Sequence, residues 1–330
     1  MLAQIKRFFR ILSARRDIAM LSSAVMLLIA AMFNPSVPLP HNIYTYMFVV
    51  DISQSMNVKD AVLDNKTISR LDLTKRIMHD ITANLPCGTK VSIGLFAGVS
   101  VAALYQPIEV CSNYAAIQDT IDHFDWRMAW SGNSRMRESM LGIARTLRAF
   151  PEPAQVVFFT DGEEAPKLHA FNTRDLSNFQ GGNGWLLVGI GSEKGAPIPK
   201  LDDKNQLIGY WANDSFAMQP GIAQISEANI GIRDNNVAVS TGDRYISRLQ
   251  EPYMKELAKL VNATYVRGDS LQTVLSAMSK QPPAKRDVAP FALGWVLASI
   301  AGLLIVMSYL PKQAWRLLRQ QSQQRNAPMN

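Results

Sequence analysis

Two largely apolar runs that each stop at an aspartate constrain this chain more than anything else in it. Tyr44 to Val50 (YTYMFVV) ends at Asp51, and Gln155 to Thr160 (QVVFFT) ends at Asp161. A third run, Trp185 to Ile190 (WLLVGI), ends at Gly191. Short continuous runs rich in β-branched and aromatic residues read as strands buried on both faces, which belong in parallel sheets covered by helices. Helical spacing lies between them. Arg70 to Leu85 places Leu71, Leu73, Ile77, Ile81 and Leu85 on one face before Pro86, and 114–124, 137–150, 251–261 and 270–279 read as further helices. Lys90 to Phe96 and Val101 to Val110 flank a Gly98 turn and read as a hairpin, and Thr264 to Arg267 as a short strand. The expected fold is α/β, a doubly wound, mostly parallel sheet with one antiparallel edge strand. Residues 195–244 fit this alternation poorly and read as an irregular excursion.

Three fragments fall where strands end or helices begin: Asp51-Ile52-Ser53-Gln54-Ser55, Ser131-Gly132-Asn133-Ser134 and Thr160-Asp161-Gly162. Open α/β sheets bind ligands at the carboxyl ends of their strands. Two carboxylates and three hydroxyls, without His or Cys, make an all-oxygen donor set suited to a hard cation. The alternative is that the aspartates cap helices while the serines satisfy turn backbone.

The order D-x-S-x-S, a loop hydroxyl before a helix, then T-D-G resembles the metal-ion-dependent adhesion site of von Willebrand factor A domains. The resemblance implies a Rossmann-like domain over residues 40–280 that holds Mg²⁺, with Mn²⁺ or Ca²⁺ as alternatives. Ser53 and Ser55 would ligate directly, Asp51 and Asp161 largely through water, and Ser134 would stand where relatives carry Thr. Such an ion keeps an open position for an acidic group of a protein partner. Arg135 and Arg137 beside Ser134, and Glu163 and Glu164 after Asp161, are candidates for a partner-binding rim. Solvated surface charge is the plainer reading of all four, as it is of Arg127, and Trp126 and Trp130 read as core. The two cysteines, Cys87 and Cys111, lie at the outer ends of the expected hairpin, so the fold implied by the resemblance makes a disulfide between them plausible.

Two stretches lack charge: Ile18 to Phe33 and Val288 to Leu310. They are expected to be an N-terminal membrane anchor (18–34) and a transmembrane helix (288–310) flanking the domain. The net charge of +7 does not point to nucleic acid, because the basic excess sits beside these stretches. Lys6, Arg7, Arg10, Arg15 and Arg16 precede the first, and Lys312, Arg316, Arg319 and Arg325 follow the second. The positive-inside rule then puts the tails 1–17 and 311–330 in the cytoplasm and the domain in the periplasm of a bacterial inner membrane.

No enzyme is expected. The four histidines fit no metal or triad spacing, and neither a nucleophile elbow nor a phosphate-binding loop occurs. DISQSMN (51–57), LPCGTKV (85–91), RMAWSG (127–132) and the segment 247–270 resemble bacterial membrane-bound proteins of the MoxR-associated group. Within it they look most like accessory proteins of methanol dehydrogenase. That resemblance implies maturation of a periplasmic metalloenzyme, with Ca²⁺ insertion as one route, together with a MoxR-type AAA+ ATPase. The alternatives are an aerotolerance-type membrane protein of a stress-response complex and a metal-independent scaffold.

Overall fold

The computed structural model describes residues 16–63, 65–131, 134–165, 167–168, 173–215 and 237–309. The expected tail 311–330 and most of the tail 1–17 lie outside these residues, as does 216–236 of the excursion. The chain divides into two compact units, residues 42–286 and the two terminal segments 1–41 and 287–330.

In chain order the described elements are α1 (Arg16–Met32), β1 (Ser36–Ile43), β2 (Thr45–Asp51), β3 (Ala61–Leu63), β4 (Lys66–Ile68) and α2 (Arg70–Asn84). Then come β5 (Lys90–Ala97), β6 (Ser100–Ala103), β7 (Ile108–Glu109), α3 (Tyr114–His123), α4 (Met136–Arg148), β8 (Gln155–Thr160) and β9 (Leu186–Gly189). The last are β10 (Ala196–Pro197), β11 (Pro199–Leu201), β12 (Leu207–Tyr210), β13 (Ile246–Ser247), α5 (Glu251–Leu260), β14 (Thr264–Arg267), α6 (Leu271–Met278), β15 (Lys285–Ala292) and α7 (Gly294–Ser308).

The large unit is built on a mixed sheet in the order β14-β9-β8-β2-β5-β6, with β7 also on β5. From β14 to β5 neighbouring strands are parallel, whereas β6 and β7 run antiparallel to β5. Side chains alternate across a strand, so β2 serves both faces. Tyr46, Phe48 and Val50 enter one core with Ile77 and Ile81 of α2, Ile117 of α3 and Val274 of α6. Met47 and Val49 enter the other, with Met140 of α4 and Leu257 of α5. A sheet covered on both faces explains why the central strands read as continuous apolar runs. It also leaves only the strand ends free to form a site.

Cys87 and Cys111 are joined in a disulfide with a Cα–Cα distance of 5.3 Å. Pairing of Lys90 with Glu109 across β5 and β7 brings the two loops together. The Glu109 carboxylate then ties them, accepting from Gly88 N at 2.7 Å and Ser112 N at 2.6 Å. The bridge spans 24 residues, so the paired Cys87→Ser/Cys111→Ser variant is expected to lose about 3 kcal/mol of stability by restoring loop freedom to the unfolded chain. Denaturant unfolding checks this; a change below about 1 kcal/mol would mean that the unfolded chain is not constrained by the bridge.

The excursion after β9 contains two short antiparallel pairs, β10–β13 and β11–β12. Ile198, Trp211 and Tyr245 from it pack around Val58, just beyond the Asp51 loop.

In the terminal unit α1 and α7 pack together and β1 pairs with β15. Strand β1 forms although Pro38 and Pro40 lie within it, as an edge strand of a two-stranded sheet allows. The uncharged run from Val288 is divided. Its first residues belong to β15 and its helix starts only at Gly294, in keeping with Pro290, which opposes helix at and before its own position. Among the described residues no helix is long and apolar enough to cross a membrane. Helix α1 has 17 residues and α7 has 15, against the roughly 20 a spanning helix needs.

Candidate metal-binding site

The parallel pairing of β2 with β8 sets Val50 opposite Phe159. Asp51 and Asp161 therefore emerge together at the carboxyl ends of adjacent strands, both with no exposed surface. Asp51 is held from two sides. Its Oδ1 accepts from Ser53 N at 2.9 Å and its Oδ2 from Thr160 Oγ1 at 2.7 Å. Thr160 Oγ1 in turn accepts from Gly162 N at 3.0 Å, so the T-D-G threonine locks the D-x-S-x-S aspartate. Ser53 and Ser55 flank the start of a short 3-10 turn at Gln54–Asn57, which brings their hydroxyl oxygens to 3.1 Å.

Ser134 joins them through the backbone. Its amide donates to Ala165 O at 3.0 Å, Ala165 N donates back at 2.8 Å, and Arg135 N donates to Gly98 O at 2.8 Å. Main chain thus pins this loop between the end of β5 and the segment after Asp161. Ser134 Oγ is buried and meets no hydrogen-bond partner among the described residues.

Charge is crowded here. Burial, and then the neighbouring Asp161 carboxylate, push Asp51 up to about 7. The same two causes push Glu163 up to about 7. A cation among these oxygens would relieve the repulsion, and the Ser53, Ser55 and Ser134 hydroxyls offer it neutral lone pairs. The donor set therefore fits a hard divalent ion.

The folded metal-free protein holds protons on Asp51 and Glu163 that the unfolded chain releases near 4. Their contribution to stability is complete below that value and is lost as pH rises through about 7. Asp60 titrates below its usual value, because Arg70 and Ser192 outweigh its burial, so it acts at lower pH. Stability without divalent ions is therefore expected to fall between pH 5 and 7.5, and excess Mg²⁺ to flatten that fall. A metal-free profile that rises across this window would contradict the crowding of charge described here.

Burial corrects the surface-charge reading at three of the four rim residues. Glu163 and Glu164 are buried, not surface acids, at 4% and 8% exposure. Tyr245 OH donates to Glu163, and Tyr253 OH and Arg137 N donate to Glu164. Both carboxylates still line a cleft of about 640 Å³ with Lys167, Arg244, Tyr245 and Tyr253. Arg137 is also buried, its Nε donating to Arg174 O at 3.0 Å. Arg135 pairs with Glu138 and Arg127 with Asp125. Each of these arginines therefore has a carboxylate or carbonyl of its own neighbourhood within reach. Trp126 is core, as expected, and Trp130 packs against the core.

Sequence reasoning missed Arg70. It is fully buried, and its Nη1 donates to Asp161 Oδ2 at 2.6 Å. Its position follows from the Ser69 cap of α2, whose hydroxyl accepts from Asp72 N at 3.0 Å. Its partners Asp60, Asp161 and Ser247 lie 10, 91 and 177 residues away, so no local pattern announces it.

Residues 46–164 match the von Willebrand factor type A domain, and the mixed α/β sheet is the fold of that domain. A "UPF0353 protein" of Mycolicibacterium paratuberculosis is 24% identical over 87% of this chain and 77% of its own length. An aerotolerance-related membrane protein from Bacteroides fragilis is 21% identical in sequence, covering 72% of this chain and 98% of that one with a TM-score of 0.48. The conserved hypothetical protein BatB from Bacteroides thetaiotaomicron is 20% identical over the same shares, with a TM-score of 0.48.

Proposed function

We propose that this chain is a von Willebrand factor type A domain protein, tethered to a membrane, that binds an acidic group of a protein partner through a divalent cation. The observation that carries this reading is that Asp51, Ser53, Ser55 and Asp161 meet at the ends of two parallel strands, with Ser134 tied beside them through Ala165 and its buried hydroxyl without a partner among the described residues. Mg²⁺ suits such a set, because it dehydrates reluctantly and accepts a few protein oxygens beside its waters. Mn²⁺ and Ca²⁺ are the alternatives. With Ser53, Ser55 and Ser134 as neutral direct ligands, Asp51 and Asp161 acting largely through water, and Asp161 shared with Arg70, the ion keeps an open position for a carboxylate from outside. We infer a binding role and no enzymatic one, since the Thr160 hydroxyl that donates to Asp51 is fully buried and also accepts from Gly162 N, which commits it to holding the loop.

Of the two settings weighed from the sequence, we favour the aerotolerance-type membrane protein. Among the relatives described above one is named for aerotolerance, and maturation of methanol dehydrogenase has no counterpart there. Membrane tethering draws on the terminal unit, where Met32, Phe33, Trp295 and Val306 are more than half exposed, a pattern costly in water and stable in lipid. With both termini cytoplasmic, a MoxR-type ATPase would reach only 1–17 or 311–330. A partner's carboxylate would meet the metal site in the periplasm.

The test has two arms, both on the full chain. Fused at the C-terminus, a reporter that is active only in the cytoplasm should be active and one that is active only in the periplasm should be silent; the reverse pattern would sink the orientation. A Glu-bearing peptide should bind the detergent-solubilised protein with Mg²⁺ and not with excess chelator. Equal binding in both conditions would leave a metal-independent scaffold.

A further inference from the structure

The Arg70 guanidinium is shared among separate stretches of chain. Nε and Nη2 donate to Asp60 Oδ1 and Oδ2 at 2.9 and 2.7 Å, a two-pronged ion pair. Nη2 also donates to Ser247 O at 3.1 Å, and Nη1 to Ser247 Oγ at 2.8 Å. Asp60 is itself fixed by Ser192 N and Oγ at 3.0 and 2.9 Å. Gly191 lies flat against the group: at φ +114°, an added Cβ would stand 2.5 Å from Arg70 Nε.

These contacts would hold Arg70 without any other. Two further ones reach the candidate site: Nη1 donates to Ser55 O at 3.4 Å and, at 2.6 Å, to Oδ2 of Asp161, a proposed metal ligand whose Oδ1 already accepts from Glu163 N at 2.9 Å. Both Asp161 oxygens therefore carry a donor, and a full positive charge sits where a divalent ion needs negative charge. A buried guanidinium keeps its proton under all ordinary conditions. Its field on the site is permanent.

We propose that Arg70 is an internal counter-cation that competes with the divalent ion for Asp161 and sets the site's intrinsic metal affinity low. The inference rests on the metal-binding reading above and makes Arg70 a positioning residue acting through Asp161. A purely structural Arg70 predicts the opposite sign, since loosening the loops would weaken metal binding.

The test is titration of Mn²⁺ alone, followed by the paramagnetic signal of the free ion, into the full chain in detergent. Two variants are compared with the natural sequence. Arg70→Met/Asp60→Asn removes the ion pair without stranding Asp60, and Arg70→Lys keeps one charge that cannot serve Asp60 and Asp161 together. Near-ultraviolet dichroism from buried Trp126 and Trp185 reports folding. The double variant is expected to bind Mn²⁺ about tenfold more tightly, because the guanidinium it removes stands directly on Asp161, whereas the Asp60 carboxylate it also removes pairs with the Nε and Nη2 side of that group. Arg70→Lys should bind more tightly than the natural chain by a smaller factor, and it decides the matter if the double variant does not fold. Binding by the variants alone would also support the inference. Equal or weaker binding in a folded variant, while the natural chain binds, would overturn the role of Arg70 and leave the metal site standing. No binding by any of the three would overturn both.

Discussion

Arg70→Met alone is expected to destabilise the metal-free protein by about 3–5 kcal/mol, the scale for breaking a buried ion pair from one side. Asp60 and Asp161 would lose their shared cation while staying buried, at side-chain exposures of 6% and 0%. Ser247 would lose both of its contacts to the guanidinium. Mg²⁺ should recover part of the loss, because it would supply Asp161 with another cation. Denaturant unfolding with and without Mg²⁺ measures both effects. A loss below about 1 kcal/mol would place this pair with weakly coupled surface pairs, against the geometry described here.

Phe159→Ala should cost a similar amount, about 3–5 kcal/mol. Phe159 is fully buried in β8, meets Phe48 edge-to-face at a centroid distance of 6.2 Å, and directly precedes Thr160. Truncation leaves a cavity under the strand end that carries the T-D-G turn. The effect should therefore reach beyond stability and weaken any metal binding as well. A drop under about 1.5 kcal/mol would mean that the core collapses to fill the space, as well-tolerated substitutions do.

The contrast between these residues shows what the sequence revealed and what it withheld. Phe159 was legible because a buried parallel strand leaves a continuous apolar run, and the same signal located β2, β8 and β9. The hairpin and the cysteine bridge followed once the fold was inferred, since β5 and β7 must pair to bring their loops together. That Asp51, Ser53, Ser55, Ser134 and Asp161 form one candidate set was read from the order of the motifs and from the buried strands that two of them follow. Arg70 was not, because a charged residue opening an amphipathic helix looks like any solvated one, and its partners come from distant segments. Glu163 and Glu164 failed for the same reason. Their burial depends on Tyr245 and Tyr253, about 80–90 positions along the chain. The terminal segments misled in another way. Lack of charge was read as helix over 288–310, while Pro290 and the pairing of β15 with β1 gave its first part to a strand.

The central claim is that five oxygen-bearing side chains, from the segments following β2 and β8 and from the loop before α4, hold a divalent cation. Calorimetric titration of Mg²⁺, Mn²⁺ and Ca²⁺ into the full chain in detergent, beside its Asp51→Ala variant, tests it most directly. Saturable binding of at least one ion at a single site, absent from the variant, is the predicted result. A folded natural chain that binds none of the three, or an Asp51→Ala variant that binds equally well, would contradict it.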